Sequence, residues 1–509
     1  MPYIVGRASQ EGDLYQRVKN FVTGVGFIGQ AYFQGTGNGK LIDPRAPDLA
    51  YLGESYTLTC VSTAQFGGSF SVVSSGRGNL PDSQVSRVYA DPRVQFYLDF
   101  GEVDFALNDR FDLKFVEYRQ ASKPKFLALE AKLGTRTETV TLTCTTAGIP
   151  NGAGAKFSVV GSTSGDQGTA TQGTAFSSAV IGFTLDRGDA ASAAMQFAVG
   201  DTIVVHTTQN PLAAQGQQWS VLRTASFANT ENGTNQFGKN IGVTDNQLIL
   251  KGTGLAGTDE IVVGLRRNWS NSGGWASWEL AGMRGYAPNL TYDEQPGCLP
   301  SSRRPRLNTW SGEVPYWLSV TGRKITLMVR NNNYYMSMYL GLGIPWGSPK
   351  NQPYFLVVGG SAGNAESNWT NLSVENSNFW QARAGNSNGS PLQALNRSGN
   401  WIGYLARANN NRGNSWYDSG WIDSDSASIW PYRSNAMQRV RENLDGSTPL
   451  LPVTCYPDLG ELQGMFAVTG YGAVQPEDLI WRGYDKVKLV VGTNTYRNST
   501  EDFCAMELV

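Results

Sequence analysis

Glu54-Ser55-Tyr56-Thr57-Leu58-Thr59-Cys60 and Glu138-Thr139-Val140-Thr141-Leu142-Thr143-Cys144 are one strand written twice. The likeness continues downstream in the same order. Phe70-Ser71-Val72-Val73 is matched by Phe157-Ser158-Val159-Val160, and Phe96-Tyr97-Leu98-Asp99-Phe100-Gly101 by Phe183-Thr184-Leu185-Asp186-Arg187-Gly188. Phe105-Ala106, Asp109 and Phe111 then correspond to Phe197-Ala198, Asp201 and Ile203. Four blocks in one order, differing mainly in the loops between them, define an internal duplication. Within each copy, alternating β-branched and aromatic residues are broken by Gly-rich turns, the rhythm of a small β-sandwich. Alternation puts Tyr56, Leu58 and Cys60 on one face, read as the core face, so the thiols at 60 and 144 act as small hydrophobes.

Working outward, Ser9 to Thr23 is the clear helix candidate. Leu14, Val18, Phe21 and Val22 form one apolar stripe, Ser9 is placed to cap the start, and Gly24 and Gly26 stop it. Beyond Trp219 the text changes to strands separated by Gly/Asn loops: Trp219 to Leu222, Leu248 onward, Glu260 to Leu265, Ile325 to Val329 and Phe355 to Val358. Residues 363–425 read as long loops held by Trp369, Trp380, Trp401, Trp416 and Trp421. Two strands, Lys486 to Val491 and Phe503 to Val509, close the chain and pin its end into the fold. The expected fold class is all-β and multi-domain, with two tandem small β-sandwiches, a larger β-rich C-terminal part and a short N-terminal helix. The boundaries are 1–48 for helix and linker, 49–130 and 131–212 for the repeats, and 213–509 for the larger domain.

Composition narrows the function. Of 509 residues only 16% are charged, and Lys+Arg 41 against Asp+Glu 42 leaves a net charge of -1, with no global drive toward nucleic acid or anionic membrane. At 40% hydrophobic the chain has enough apolar side chains for packed cores. His206 is the single histidine. A two-histidine metal site is therefore impossible within one chain, and the alternating Thr202 to Thr207 places this residue at a strand end. GxSxG occurs around Ser361 and Ser387, but a nucleophile elbow needs its histidine after the serine, and His206 precedes both. Cysteines 60, 144, 298, 455 and 504 are widely spaced, which fits free thiols in a reducing cytoplasm better than a disulfide or zinc framework. Met1-Pro2-Tyr3-Ile4 opens no secretion signal, and no apolar run approaches the roughly 18 residues of a membrane-spanning helix. The expectation is no catalytic residue, no cofactor, no metal and no membrane insertion.

The doublet of Thr-Leu-Thr-Cys and Phe-Ser-Val units resembles modules of tailed-bacteriophage structural proteins. So does the later series Pro315-Tyr316-Trp317, Gly322-Arg323-Lys324, Tyr339-Leu340-Gly341 and Gly359-Gly360-Ser361. The likeness is greatest to proteins of the tail, baseplate or collar, and it covers roughly residues 50–360. It implies a virion component built from β modules, assembled in the host cytoplasm as a homo-oligomer around the tail axis with other virion proteins as partners. The helix and the stretch Gln34 to Pro47 are the expected attachment points.

The segment 363–430 is the candidate ligand surface. Trp401, Trp416 and Trp421 with Asn409, Asn410, Asn411 and Asp418 supply flat aromatic faces beside amides and a carboxylate. Three readings stand: loop anchoring, a subunit interface, and carbohydrate binding. The last gives the alternative function of a receptor-binding module for host-surface glycan. Asp418, Asp423 and Asp425 lack EF-hand spacing and read as a solvated loop. Taken as paired carboxylates they give the second alternative, a polysaccharide depolymerase. Arg303-Arg304-Pro305-Arg306 and Arg266-Arg267 are too short for nucleic acid and are expected to face an acidic patch on another subunit.

Overall fold

The computed structural model describes residues 2–119, 125–149, 152–187, 197–225, 247–253, 260–269, 275–331, 334–346, 355–361, 392–395, 399–404, 450–455, 460–468, 475–482, 487–493 and 503–508. Ser55–Ala64 pairs antiparallel with Gly67–Ser74 on one side and Arg110–Lys114 on the other. Gln30–Gln34 and Gly78–Gln84 extend this to five strands, ordered 30–34, 110–114, 55–64, 67–74 and 78–84. A three-stranded sheet, Lys40–Arg45, Gln95–Asp99 and Val88–Ala90, completes the first repeat. The second repeat reproduces it strand for strand. Val116–Arg119, Thr202–Thr208, Glu138–Thr146, Lys156–Gly161 and Gly165–Thr171 form its large sheet, and Phe126–Ala131, Ile181–Leu185 and Phe176–Ser177 its small one.

Burial follows the expected alternation. Tyr56, Leu58, Cys60, Phe70 and Val72 are buried in the first repeat, and Val140, Leu142, Cys144, Phe157 and Val159 in the second. The aromatic contact at the centre is also copied. Phe70 meets Phe105 edge-on at 5.0 Å and 85°, and Phe157 meets Phe197 at 4.8 Å and 87°. The fold is all-β, as the duplication implied.

The strand pairing sets the edges of the repeats at 30–114 and 116–208. Gln34 to Pro47, read as linker, instead contributes to the first repeat's sheets: Gln30–Gln34 pairs with Arg110–Lys114, and Lys40–Arg45 with Gln95–Asp99. Edge strands need only main-chain hydrogen bonds along one side, so they tolerate the Gly, Asn and Pro that made this stretch look unstructured.

The chain passes between the two large sheets twice, at neighbouring points. Phe27–Ile28 pairs with Thr207 and Thr208 of the second repeat, and after Gly29 the chain enters the first. Arg110–Lys114 lies in the first, and after Phe115 the chain enters the second. Gly29 has φ +112, and a Cβ there would stand 2.7 Å from the Phe115 ring, so the two crossings require glycine at this point.

The helix runs Glu11–Thr23. Asp13 accepts from the Ser9 N–H at 2.8 Å at its start. At its end Val25 N donates to Asn20 O (2.9 Å) and Gly24 N to Phe21 O (3.1 Å), with Gly24 at φ 89, the Schellman arrangement. Leu14, Val18, Phe21 and Val22 are all buried. The stripe is covered by its own chain.

The protein divides into two compact units: Ile4–Arg7 with Lys19–Gly216, and Met1–Tyr3 with Ala8–Val18 and Gln217–Val509. The first unit holds both repeats. The second contains a five-stranded sheet, ordered Ser220–Ala225, Gln247–Thr253, Glu260–Trp269, Trp275–Met283 and Arg306–Trp310. It also contains the consecutive run Val314–Thr321, Lys324–Asn331, Tyr334–Leu342, Leu356–Gly359, Leu392–Leu395 and Trp401–Tyr404. A further sheet is ordered Ile344–Pro345, Gly460–Val468, Phe503–Leu508, Val487–Thr493 and Leu479–Arg482, with Leu450–Cys455 paired to Gly460–Val468. Val487–Thr493 and Phe503–Leu508 pair antiparallel.

Candidate functional site

Ser361 and the cysteines at 60, 144, 298 and 504 are each held in packing. Ser361 is buried, its hydroxyl donating to Arg306 O (3.0 Å) and accepting from Asn308 N (3.0 Å). The hydroxyl is engaged by the main chain of Arg306–Trp310 on both its donor and its acceptor side, so Ser361 is not poised as a nucleophile. Ser387 lies outside the described residues. Burial pushes the Cys60 and Cys144 thiols up, Asp109 and Asp201 add to this, and the thiols donate to Ser62 O and Thr146 O at 3.4 Å. A protonated, enclosed thiol is a poor nucleophile and metal ligand. Cys298 and Cys504 are raised by burial in the same way.

Trp401 is buried. Its Nε1 donates to Gly297 O at 2.9 Å, and its ring lies where a Cβ on Gly282 would have to sit. This is the anchoring arrangement, with a Trp ring fastening one strand to another. Trp416, Trp421 and Asp418 lie outside the described residues, as do Asp423, Asp425 and the asparagines at 409–411. Among the described residues no group of three His, Cys, Asp or Glu is placed to hold a metal ion. No helix among them is long and apolar enough to cross a membrane.

The arginine pairs are resolved within the chain, contrary to the expectation of an acidic patch on another subunit. Arg304 is fully buried. It donates to Glu279 (2.7 Å), Asp293 (2.6 Å) and Leu299 O (2.8 Å), with Cys298 Sγ at 3.3 Å. Arg266 bonds Asp293 at 2.9 Å and lies 4.4 Å over the Tyr292 ring, which itself covers Gly264. Burial raises the Asp293 carboxyl, but the Arg266 and Arg304 guanidiniums outweigh it and hold it below the usual range. Arg267 makes two bonds to buried Glu11 (2.7 and 2.5 Å), which also accepts from Trp278 Nε1 at 2.6 Å. A guanidinium that cannot reach water needs a carboxylate beside it, and these carboxylates come from distant sequence. The clusters are internal fasteners.

His206 is buried, and each of its four polar atoms is used. Its N donates to Phe115 O (2.8 Å) and its O accepts from Gly29 N (2.7 Å), so its backbone holds both chain crossings. Nδ1 lies 3.0 Å from the Tyr32 hydroxyl and Nε2 2.9 Å from Glu117 Oε1. The sequence correctly placed this residue at a strand end, but its partners are 89 and 174 residues away and left no local signal.

Two exposed aliphatic positions are shared by the two repeats, beside others that each repeat exposes alone, such as Val61 and Val103 in the first and Leu127 and Ile149 in the second. Each carries a tight turn, Ala106-Leu107-Asn108-Asp109 or Ala198-Val199-Gly200-Asp201. In it the aspartate carboxylate accepts from the alanine N–H, at 3.0 and 2.8 Å. Asn108 and Gly200 take the same positive φ, 72 and 97. On its tip Leu107 is 60% exposed and Val199 67%. Val73 and Val160 are likewise both exposed. No protein-family model and no curated protein matches the chain.

Proposed function

We propose that this protein is a structural subunit of a bacteriophage virion, of the tail, baseplate or collar, and that it acts through protein–protein interfaces instead of chemistry. The observation that carries this reading is the repetition of exposed aliphatic residues, Leu107 with Val199 and Val73 with Val160, on turns and strands of identical wiring. A core must be apolar in both copies of a duplicated fold, but a turn tip need not be. Leaving a large aliphatic group in water twice forgoes burial worth about 1.5–3 kcal/mol for each full side chain. Docking against a neighbouring virion protein or another copy of the chain would recover it. The phage-module resemblance and the charge-poor composition support the same reading.

The test is incorporation. Purified particles should contain the wild-type chain at fixed stoichiometry by quantitative mass spectrometry. Leu107→Glu with Val199→Glu, both on exposed tips, should fold normally by circular dichroism and be depleted from particles at least tenfold. Normal incorporation of the double variant, or absence of the wild-type chain from particles, would overturn the reading.

A further inference from the structure

We propose that His206 makes the joint between the two repeats acid-sensitive: protonation reverses its hydrogen bond to Tyr32, gathers a third cation on Glu117, and so loosens the two chain crossings that its backbone holds.

The argument begins with which nitrogen carries the proton at neutral pH. Glu117 accepts from Lys114 Nζ (2.8 Å), Arg119 Nη2 (3.0 Å) and His206 Nε2 (2.9 Å). Burial raises its carboxyl, but these partners more than offset that and bring it down to about 2. An ionised carboxylate facing Nε2 requires a proton there, so Nδ1 presents its lone pair to Tyr32. The Tyr32 hydroxyl sits 3.0 Å from both Nδ1 and Gln30 Oε1 and has one hydrogen to give. With neutral His206 it goes to Nδ1. With imidazolium, Nδ1–H donates to the tyrosine oxygen, and the tyrosine hydrogen turns to Gln30.

The charged groups facing the ring are Glu117, Lys114 and Arg119. The strand Gln30–Gln34 contributes Gln30 and Tyr32, and Glu138–Thr146 places Thr139 opposite His206. Burial disfavours the imidazolium, Glu117 favours it, and Lys114 and Arg119 oppose it again, so the ring takes a proton less readily than a free histidine. An opened joint, with His206 in water, binds that proton at the ordinary value of about 6.5. Lowering the pH below about 6.5 therefore favours opening, tenfold for each unit by which the closed-state value lies below it. The crossings are the natural hinge, since single residues, Gly29 and Phe115, connect the paired strands there.

Because the chain has one histidine, the full-length protein labelled with 13C at histidine Cε1 gives a single NMR signal. Its titration midpoint is expected below 6.5. Hydrogen-exchange protection of the Gly29 and His206 amides, corrected for intrinsic pH dependence, is expected to fall over the same range. Glu117→Gln should lower the midpoint further by removing the one anion at the ring. A wild-type midpoint at or above 6.5, or protection at those amides that stays constant through the titration, would overturn the proposal. So would an unchanged midpoint in Glu117→Gln. The wild-type measurement decides even if the variant fails to fold.

Discussion

The two repeats share a wiring diagram more faithfully than they share residues. Tyr56 stands where Val140 does, Phe111 where Ile203 does, and Asn108 where Gly200 does. Nevertheless Cys60 N donates to Asp109 O at 2.8 Å and Cys144 N to Asp201 O at 2.9 Å, and Asn108 N and Gly200 N return bonds to Cys60 O and Cys144 O. What persists between the copies is the set of main-chain partners that close the sandwich, together with the few side chains that serve them. Core positions keep their polarity and exchange their shapes, as expected of interiors that tolerate apolar substitution when volume is redistributed.

This comparison can be broken most forcefully at its centre. Phe70→Ala and Phe157→Ala remove equivalent rings from equivalent edge-on contacts. Each is expected to destabilise its own repeat by about 3–5 kcal/mol, with the two costs alike, as read by hydrogen exchange of amides in the matching strands. Unequal costs would show that the cores are not energetically equivalent.

The aspartates should then separate the copies. Asp109 accepts from Ala106 N (3.0 Å), Thr36 N (2.9 Å) and Gly37 N (2.9 Å). Burial raises its carboxyl, and those amides bring it below the usual range. Asp201 has one such backbone donor among the described residues, Ala198 N. Asp109→Ala is expected to cost about 2–3 kcal/mol and Asp201→Ala about 1 kcal/mol, measured as loss of protection in the first and second repeat respectively.

Acid sharpens another asymmetry. At the edge-strand position where the first repeat has Tyr32, the second has Glu117. With its carboxyl at about 2 in the folded chain, Glu117 contributes stability that is present above about 4.5 and lost as the pH falls toward 2. Solvent screening at this partly exposed group keeps the contribution to about 1 kcal/mol. The second repeat's amides should lose protection in that window in the wild type, and Glu117→Gln should flatten the response.

The turns give the smallest effect. Gly200→Ala forces a Cβ into positive φ and should cost about 1 kcal/mol, whereas Asn108→Gly should gain a few tenths, both read as shifts in thermal unfolding.

The duplication was legible because it lies in central strands, where burial on alternate residues leaves little choice of letters. Thr57-Leu58-Thr59-Cys60 and Thr141-Leu142-Thr143-Cys144 mark it without any structure. Gln30–Gln34 and Val116–Arg119 hold equivalent positions in the two copies yet share no recognisable text, because an edge strand is specified by its neighbour's backbone. The helix was legible from its stripe and its glycine stop. The partners of Arg304 and His206 were not, since a buried charge or ring is matched in space by residues that periodicity never relates to it. Short runs such as Arg303-Arg304-Pro305-Arg306 look like surface for that reason. The Trp-rich candidate surface was legible only as composition. Trp401 proves to be a fastener, and composition does not distinguish a ring that plugs a sheet from one that stacks on a sugar.

The pairing of Ile28 with Thr207 has a consequence for how the repeats are set into the chain. The stretch from Gln30 to His206 starts and finishes side by side, and Asn210, just past its end, donates to Phe21 O and Val25 O, just ahead of its start, at 3.0 Å each. A segment whose two ends are neighbours has the geometry of an inserted cassette, entered and left at one place on the surrounding fold.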